Sequence, residues 1–184
     1  MISRRWLFGL AAFLPLAARA ATLPETVPLP DGAAETVEPS AVAKANVATL
    51  KAYYVAMNGG DIATAVTFYS PDTRNHGKVV GRPGLTRVLT ELRTMFPDYR
   101  HDLVEITATE DVVVSRNRVT GTHSGLGHFA VEGGMLVGVA PTGRAFSVQH
   151  IHWWRFKDGL IVEHYACRDD LEMMQQLGLL SAHA

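Results

Sequence analysis

The run from Ala145 to Gly178, AFSVQHIHWWRFKDGLIVEHYACRDDLEMMQQLG, constrains the fold more than any other stretch. Its first half alternates in character, so that Phe146, Val148, His150, His152, Trp154 and Phe156 share one face of a long strand. In the strand that follows, Leu160, Val162, His164 and Ala166 share a face, and Asp169 onward reads as a short amphipathic helix. Three of the eight histidines, His150, His152 and His164, fall on this hairpin. Its turn decides what they can do. A three-residue loop, Lys157-Asp158-Gly159, pairs Phe156 with Leu160 and sets His152 opposite His164 and His150 opposite Ala166. A two-residue Asp158-Gly159 turn flips one strand and separates those side chains.

The chain opens MISRRWLFGLAAFLPLAARA. Arg4 and Arg5 precede an apolar run from Trp6 to Ala18, and Ala18-Arg19-Ala20 fits a small-residue cleavage site. Residues 1–20 are therefore expected to be a secretory signal of twin-arginine type, and the product to be periplasmic or secreted. The apolar run is too short for a comfortable membrane span, so no stable span is expected after processing. Losing Arg4, Arg5 and Arg19 takes Lys+Arg from 17 to 14 against 18 Asp+Glu, a net charge of −4. That balance argues against nucleic acid as a partner. The single cysteine, Cys167, excludes an internal disulfide and a cysteine-rich zinc site.

Residues 21–39 are rich in Pro, Ala and acidic residues without periodicity, and read as a flexible arm. Ser40 is placed to cap a helix with Ala43, Val47, Leu50, Tyr54 and Met57 inward. Asn58-Gly59-Gly60 stops it, and Asp61 starts a shorter helix with Ile62, Val66 and Tyr69 inward, which Ser70-Pro71 ends. A short strand over 74–80 carries His76. A third helix presents Leu85, Val88, Leu89, Leu92, Met95 and Phe96 as one stripe, ending at Pro97-Asp98. From Tyr99 the period becomes two, giving strands over 99–109 and 112–122, then a Gly-rich apolar segment over 125–140. Helices first and a mostly antiparallel sheet after them make an α+β layout. A curved sheet packing three helices on its concave face leaves a conical cavity, a common ligand site.

Phe96-Pro97-Asp98-Tyr99, Pro141-Thr142-Gly143-Arg144, Asp158-Gly159 before Ile161-Val162-Glu163-His164-Tyr165, and Asp169-Asp170-Leu171 … Gln176-Leu177-Gly178 together resemble the SnoaL-like polyketide cyclases and "ester cyclase" proteins. These belong to the superfamily named for nuclear transport factor two. The resemblance covers residues 40–180 and implies a cone-shaped α+β barrel, with a curved, mostly antiparallel sheet around three N-terminal helices and a short C-terminal helix. It also implies a cofactor-independent enzyme that closes a ring by an intramolecular aldol step, and a homodimer formed through the sheet. In the family an aspartate serves as general acid/base, assisted by a Gln or His on the neighbouring strand. The assisting positions fall at His150 and His152. The aspartate falls at Ala166, so this chain lacks it.

Histidine titrates near working pH without perturbation, which suits it to proton transfer. A neutral His152 beside a charged His164 is expected to replace the missing aspartate, with His150 beside them, in a pocket also lined by His76, Tyr54, Trp154 and Ala166. The expected partner is a small apolar carbonyl compound, converted by a cyclase or isomerase reaction. The alternative is a non-catalytic small-ligand-binding protein with the same pocket. A hydrolase needs a carboxylate to position water, and the mapped strand positions offer none. No metal is expected, because no carboxylate lies on the histidine face of the hairpin. His101, His123 and His128 are expected to be exposed or in loops, and Arg116 and Arg118 to be solvated. Asp169-x-x-Glu172 is a helix-capping pattern rather than a catalytic one.

Overall fold

The computed structural model describes residues 39–130 and 135–180. The signal segment expected over 1–20, and the 21–39 arm up to its last residue, lie outside the described residues. Helix α1 (Ala41–Asn58) begins where the Ser40 side chain accepts from the Ala43 amide at 3.1 Å. It faces Ala43, Leu50, Tyr53, Tyr54 and Met57 into the core. Asp61 caps α2 (Ile62–Ala65) in the same way, through the Thr64 amide. A single tight turn over Val66–Phe68 then leads into β1 (Tyr69–Asn75), so the second helix ends earlier than Ser70-Pro71. β2 (Lys78–Val79), α3 (Gly81–Met95), β3 (Arg100–Ala108), β4 (Val112–Thr122), β5 (Ala145–Lys157), β6 (Leu160–Arg168) and α4 (Asp170–Gln176) complete the described elements.

The six strands form one open, mixed sheet in the order β2-β1-β6-β5-β4-β3, with α1 packed against β3 and β4 and α3 against β1. Only the β1–β6 pairing is parallel. This is the α+β cone expected from the motifs. Two core clusters hold it together. One gathers Leu50, Tyr53, Leu89, Trp154 and Ile161; the other gathers Phe96, Val119, Phe146, Met173 and Leu177. The stripe read on α3 supplies both, since Leu89 belongs to the first and Met95 to the second. Asp98 of the Phe96-Pro97-Asp98-Tyr99 motif accepts from the amide and hydroxyl of Thr122, both at 2.7 Å. It thereby ties the end of β4 to the start of β3.

The turn between β5 and β6 differs from the three-residue reading. Lys157 pairs with Leu160, and Asp158 and Gly159 take φ of 51° and 75°, the left-handed pair of a two-residue hairpin turn. Phe156 therefore pairs with Ile161, and Ile161, fully buried, turns inward in place of Leu160 and Val162. Taken alone, that turn would send His164 to the outer face. The register then shifts, because Arg155 pairs with Glu163 and Val162 is left as the extra residue of a β-bulge. Beyond the bulge Trp154 pairs with His164, His152 with Ala166 and His150 with Arg168. One inserted residue restores the inward face that the turn had inverted.

Asp169 is the N-cap of α4, accepting from the Glu172 amide at 3.1 Å. Gln176 grips the backbone of Ser147 on β5 from the other end of the same helix. Asp169→Ala is expected to cost about 1 kcal/mol of stability in a urea titration, as loss of a helix cap does. A cost below about 0.3 kcal/mol, under the range for cap loss, would show that α4 does not need this cap.

Candidate functional site

The two core clusters do not meet edge to edge. Between them lies a cavity that is open to solvent at its mouth. Its walls are apolar and aromatic, with Tyr53, Met57, Leu89, Phe96, Phe146 and Trp154 among them. His101, His150, His152 and His164 form its polar floor. Of the residues predicted for the pocket, His150, His152, His164 and Trp154 line it. Tyr54 lies behind the wall, where its hydroxyl meets Ser115 Oγ at 2.9 Å and accepts from Asn117 Nδ2 at 3.1 Å. Trp154 donates its indole N–H to the same serine at 3.1 Å. Ala166, opposite His152 in the ladder, stands beside the cavity without lining it. His76 is not on a strand as expected. It sits in the β1–β2 turn at φ 48°, its ring centre 6.0 Å from that of His164.

The bulge at Val162 brings His152 and His164 together on a diagonal of the ladder. His152 Nδ1 lies 2.9 Å from His164 Nε2, and His164 Nδ1 lies 2.9 Å from Asn75 Oδ1. The His164 ring also stacks on Trp154, with centres 4.2 Å apart. Burial disfavours the imidazolium, and like neighbours add to the effect. His164 is pushed down to about 3, His101 to about 3 and His150 to about 4, in each case chiefly by desolvation. His152 moves the same way, first through burial and then through the charge that His164 would carry. Both members of the pair are thus neutral at pH 7, so the expectation of a charged His164 is corrected. Burial also pushes the Tyr53 phenol up to about 12, so it stays protonated.

His101, expected to be exposed or in a loop, is buried on β3 with its ring centre 5.3 Å from that of His152. Asn58 puts it there: its side chain donates to the His101 carbonyl and accepts from the His101 amide, both at 2.8 Å. An asparagine ending a helix gives no such signal in sequence, whereas the alternation of β3 with Tyr99 would have turned His101 inward. His123 lies in a loop but is fully buried against Phe96, and His128 is exposed as expected. Arg116 is partly exposed beside Glu105 and Arg118 is exposed, so both are solvated as expected. Asp170 is the carboxylate that reaches the cavity, and Arg168 engages both its oxygens at 3.2–3.3 Å. In sequence it reads only as a first-turn acid of α4. From the 125–140 segment, Phe129, Met135, Leu136 and Val137 close one side of the cavity. The buried carboxylate of Glu91 holds that wall by accepting from the amides of His128 and Phe129.

Several buried imidazole nitrogens have no hydrogen-bond partner within the described protein: His101 Nδ1, both nitrogens of His150, and His152 Nε2. A buried polar atom without a partner costs about 1–3 kcal/mol. All three rings belong to residues that line the cavity. Among the described residues, no group of three His, Cys, Asp or Glu side chains is arranged to hold a metal ion.

The SnoaL-like polyketide cyclase family model matches residues 47–177, and the chain belongs to that family. Among solved structures it is similar to IdmH from Streptomyces antibioticus, at 30% identity over 72% of this chain and 98% of that one, with a TM-score of 0.59. It is also similar to AclR from Streptomyces galilaeus, at 26% identity over 77% and 86% of the two chains, with a TM-score of 0.64. TsrD from Streptomyces laurentii shares the fold at 23% identity over 78% of this chain and the whole of that one, with a TM-score of 0.65. No curated protein matches the chain.

The depressed imidazoles make stability pH-dependent in a definite direction. Their folded values lie below the unfolded value of 6.5, so the unfolded chain binds more protons below that pH. Stability should hold above pH 7 and fall from about 6.5 towards 4, by up to about 1.4 kcal/mol per pH unit for each buried histidine. In urea titrations across this range, His101→Gln should lower the slope by about one proton. A midpoint that stays flat from pH 7 to 5 would contradict the burial of these rings.

Proposed function

We propose that this protein is a cofactor-independent cyclase or isomerase that acts on a small apolar carbonyl compound by general acid/base chemistry. The observation that carries the reading is the 2.9 Å contact between His152 and His164 at the floor of an apolar cavity, with His152 Nε2 lacking a protein partner. His152 serves as the base. Its Nε2 takes a proton from the carbon beside the carbonyl, the C–H electron pair passes into an enolate, and the enolate oxygen accepts from the N–H of neutral His150. A depressed proton affinity keeps His152 unprotonated over a wide pH range, and the His164 contact shares the charge it acquires on taking the proton. Asp170 is less suited to this task, because Arg168 occupies both of its oxygens. The likeness to IdmH, named as a candidate polyketide cyclase, supports the reading.

A second reading, a binding protein using the same cavity, is favoured by Ala166 at the family's aspartate position. Deuterium exchange from heavy water into a panel of enolisable ketones and β-keto esters separates the two. Exchange that His152→Ala lowers by about 10²–10⁴-fold supports the enzyme. Binding without exchange supports the binding protein.

We also propose export, on the strength of Arg4-Arg5 and the apolar run that follows. The amino terminus of the protein recovered outside the cytoplasm should be Ala21. Recovery of an uncut chain from the cytoplasm would contradict it.

A further inference from the structure

We infer that Asn75 is a positioning residue whose side-chain oxygen fixes the protons on His164 and His152, so that His152 keeps a bare Nε2. The inference rests on the acid/base reading for its catalytic meaning. The proton count itself stands apart from it.

Asn75 ends β1 and is the parallel-ladder partner of His164, while the His76 amide donates to the His164 carbonyl at 2.9 Å. The backbone on both sides of the contact is therefore held. An amide oxygen only accepts, so the nitrogen 2.9 Å from Asn75 Oδ1, His164 Nδ1, carries the hydrogen. A neutral ring has one N–H, which leaves His164 Nε2 as an acceptor. His152 Nδ1, 2.9 Å away, must then donate to it. That spends the one N–H of His152, and its Nε2 keeps a lone pair. This is the nitrogen that is buried without a protein partner.

Every hydrogen in the chain Asn75–His164–His152 is thereby assigned from one end. When the substrate C–H breaks, Nε2 gains a hydrogen and His152 becomes imidazolium. Its Nδ1 hydrogen can shift to His164 Nε2, which moves the positive charge onto the ring that Asn75 holds. Asn75 has no proton to lose, so it holds the map without taking part in the transfer. Rotating its amide by half a turn would reverse every assignment, and His152 Nε2 would then donate rather than accept.

The test is a long-range proton–nitrogen NMR spectrum of the full chain at neutral pH, with His152 and His164 assigned by substitution. The expected pattern is hydrogen on Nδ1 of both rings and a bare Nε2 on His152. Asn75→Leu, which removes the acceptor, should move His152 to the opposite tautomer and lower deuterium exchange by about 10²–10⁴-fold. Asn75→Asp keeps the acceptor and should retain the wild-type tautomers. Its added carboxylate favours imidazolium, so the acid limb of the exchange profile should move to higher pH. The other groups acting on the pair, His76 from the turn and His101 and His150 from the neighbouring strands, are unchanged in that variant. Hydrogen on His152 Nε2 in the wild type, or an unaltered pattern in Asn75→Leu, would overturn the inference. The expected pattern without any exchange would uphold the role of Asn75 and defeat the catalytic reading instead.

Discussion

Everything at the cavity floor depends on one unpaired residue in a β-ladder. The Asp158-Gly159 turn is the favoured connection for a right-twisted hairpin, and on its own it would place His164 on the convex face beside Trp153. The bulge at Val162 reverses that parity within two residues of the turn. As a result Trp154, His152, His150 and His164 converge, while Tyr165 and Cys167 are left on the exposed side. A β-bulge is a common way to re-aim a side chain beside a functional site. Here it determines whether His152 and His164 can meet.

Burial then sets the chemistry that the geometry permits. Four imidazoles within one apolar cavity cannot all be charged, and desolvation holds them neutral. A neutral imidazole is both donor and acceptor, so what each ring offers is decided by its fixed partners. Asn75 and His164 supply those partners for His152. His150 has none within the described protein and can adapt to the ligand. Asn75, His164 and His152 thus form a chain of neutral groups beside Ala166, the ladder partner of His152.

Much of the fold was legible because it follows from period and caps. The change from helical spacing to alternation near Pro97, the Ser40, Asp61 and Asp169 caps, and the two-sided character of β5 were each readable in the local sequence. The His152–His164 partnership was legible only in part. It was anticipated from a three-residue loop and is achieved by a two-residue turn plus a bulge, and nothing local to Val162 marks it as the inserted residue. Asn75 was missed for a related reason, since its place depends on the parallel β1–β6 pairing between segments far apart in the chain. His101 was legible in the alternation of β3 with Tyr99, and only its Asn58 anchor was not. Asp170 was masked by its neighbour, since a helix-start acid explains it locally.

His152 Nδ1 and His164 Nε2 share a hydrogen bond between ring nitrogens, 2.9 Å apart. A scalar coupling across that bond, between Nδ1 of His152 and Nε2 of His164, measures it directly in solution. A resolved coupling in the wild type, abolished when Val162 is deleted and β6 regains even parity, is the expected result. Absence of any coupling with both rings assigned and neutral would contradict the account, as would a coupling that survives the deletion.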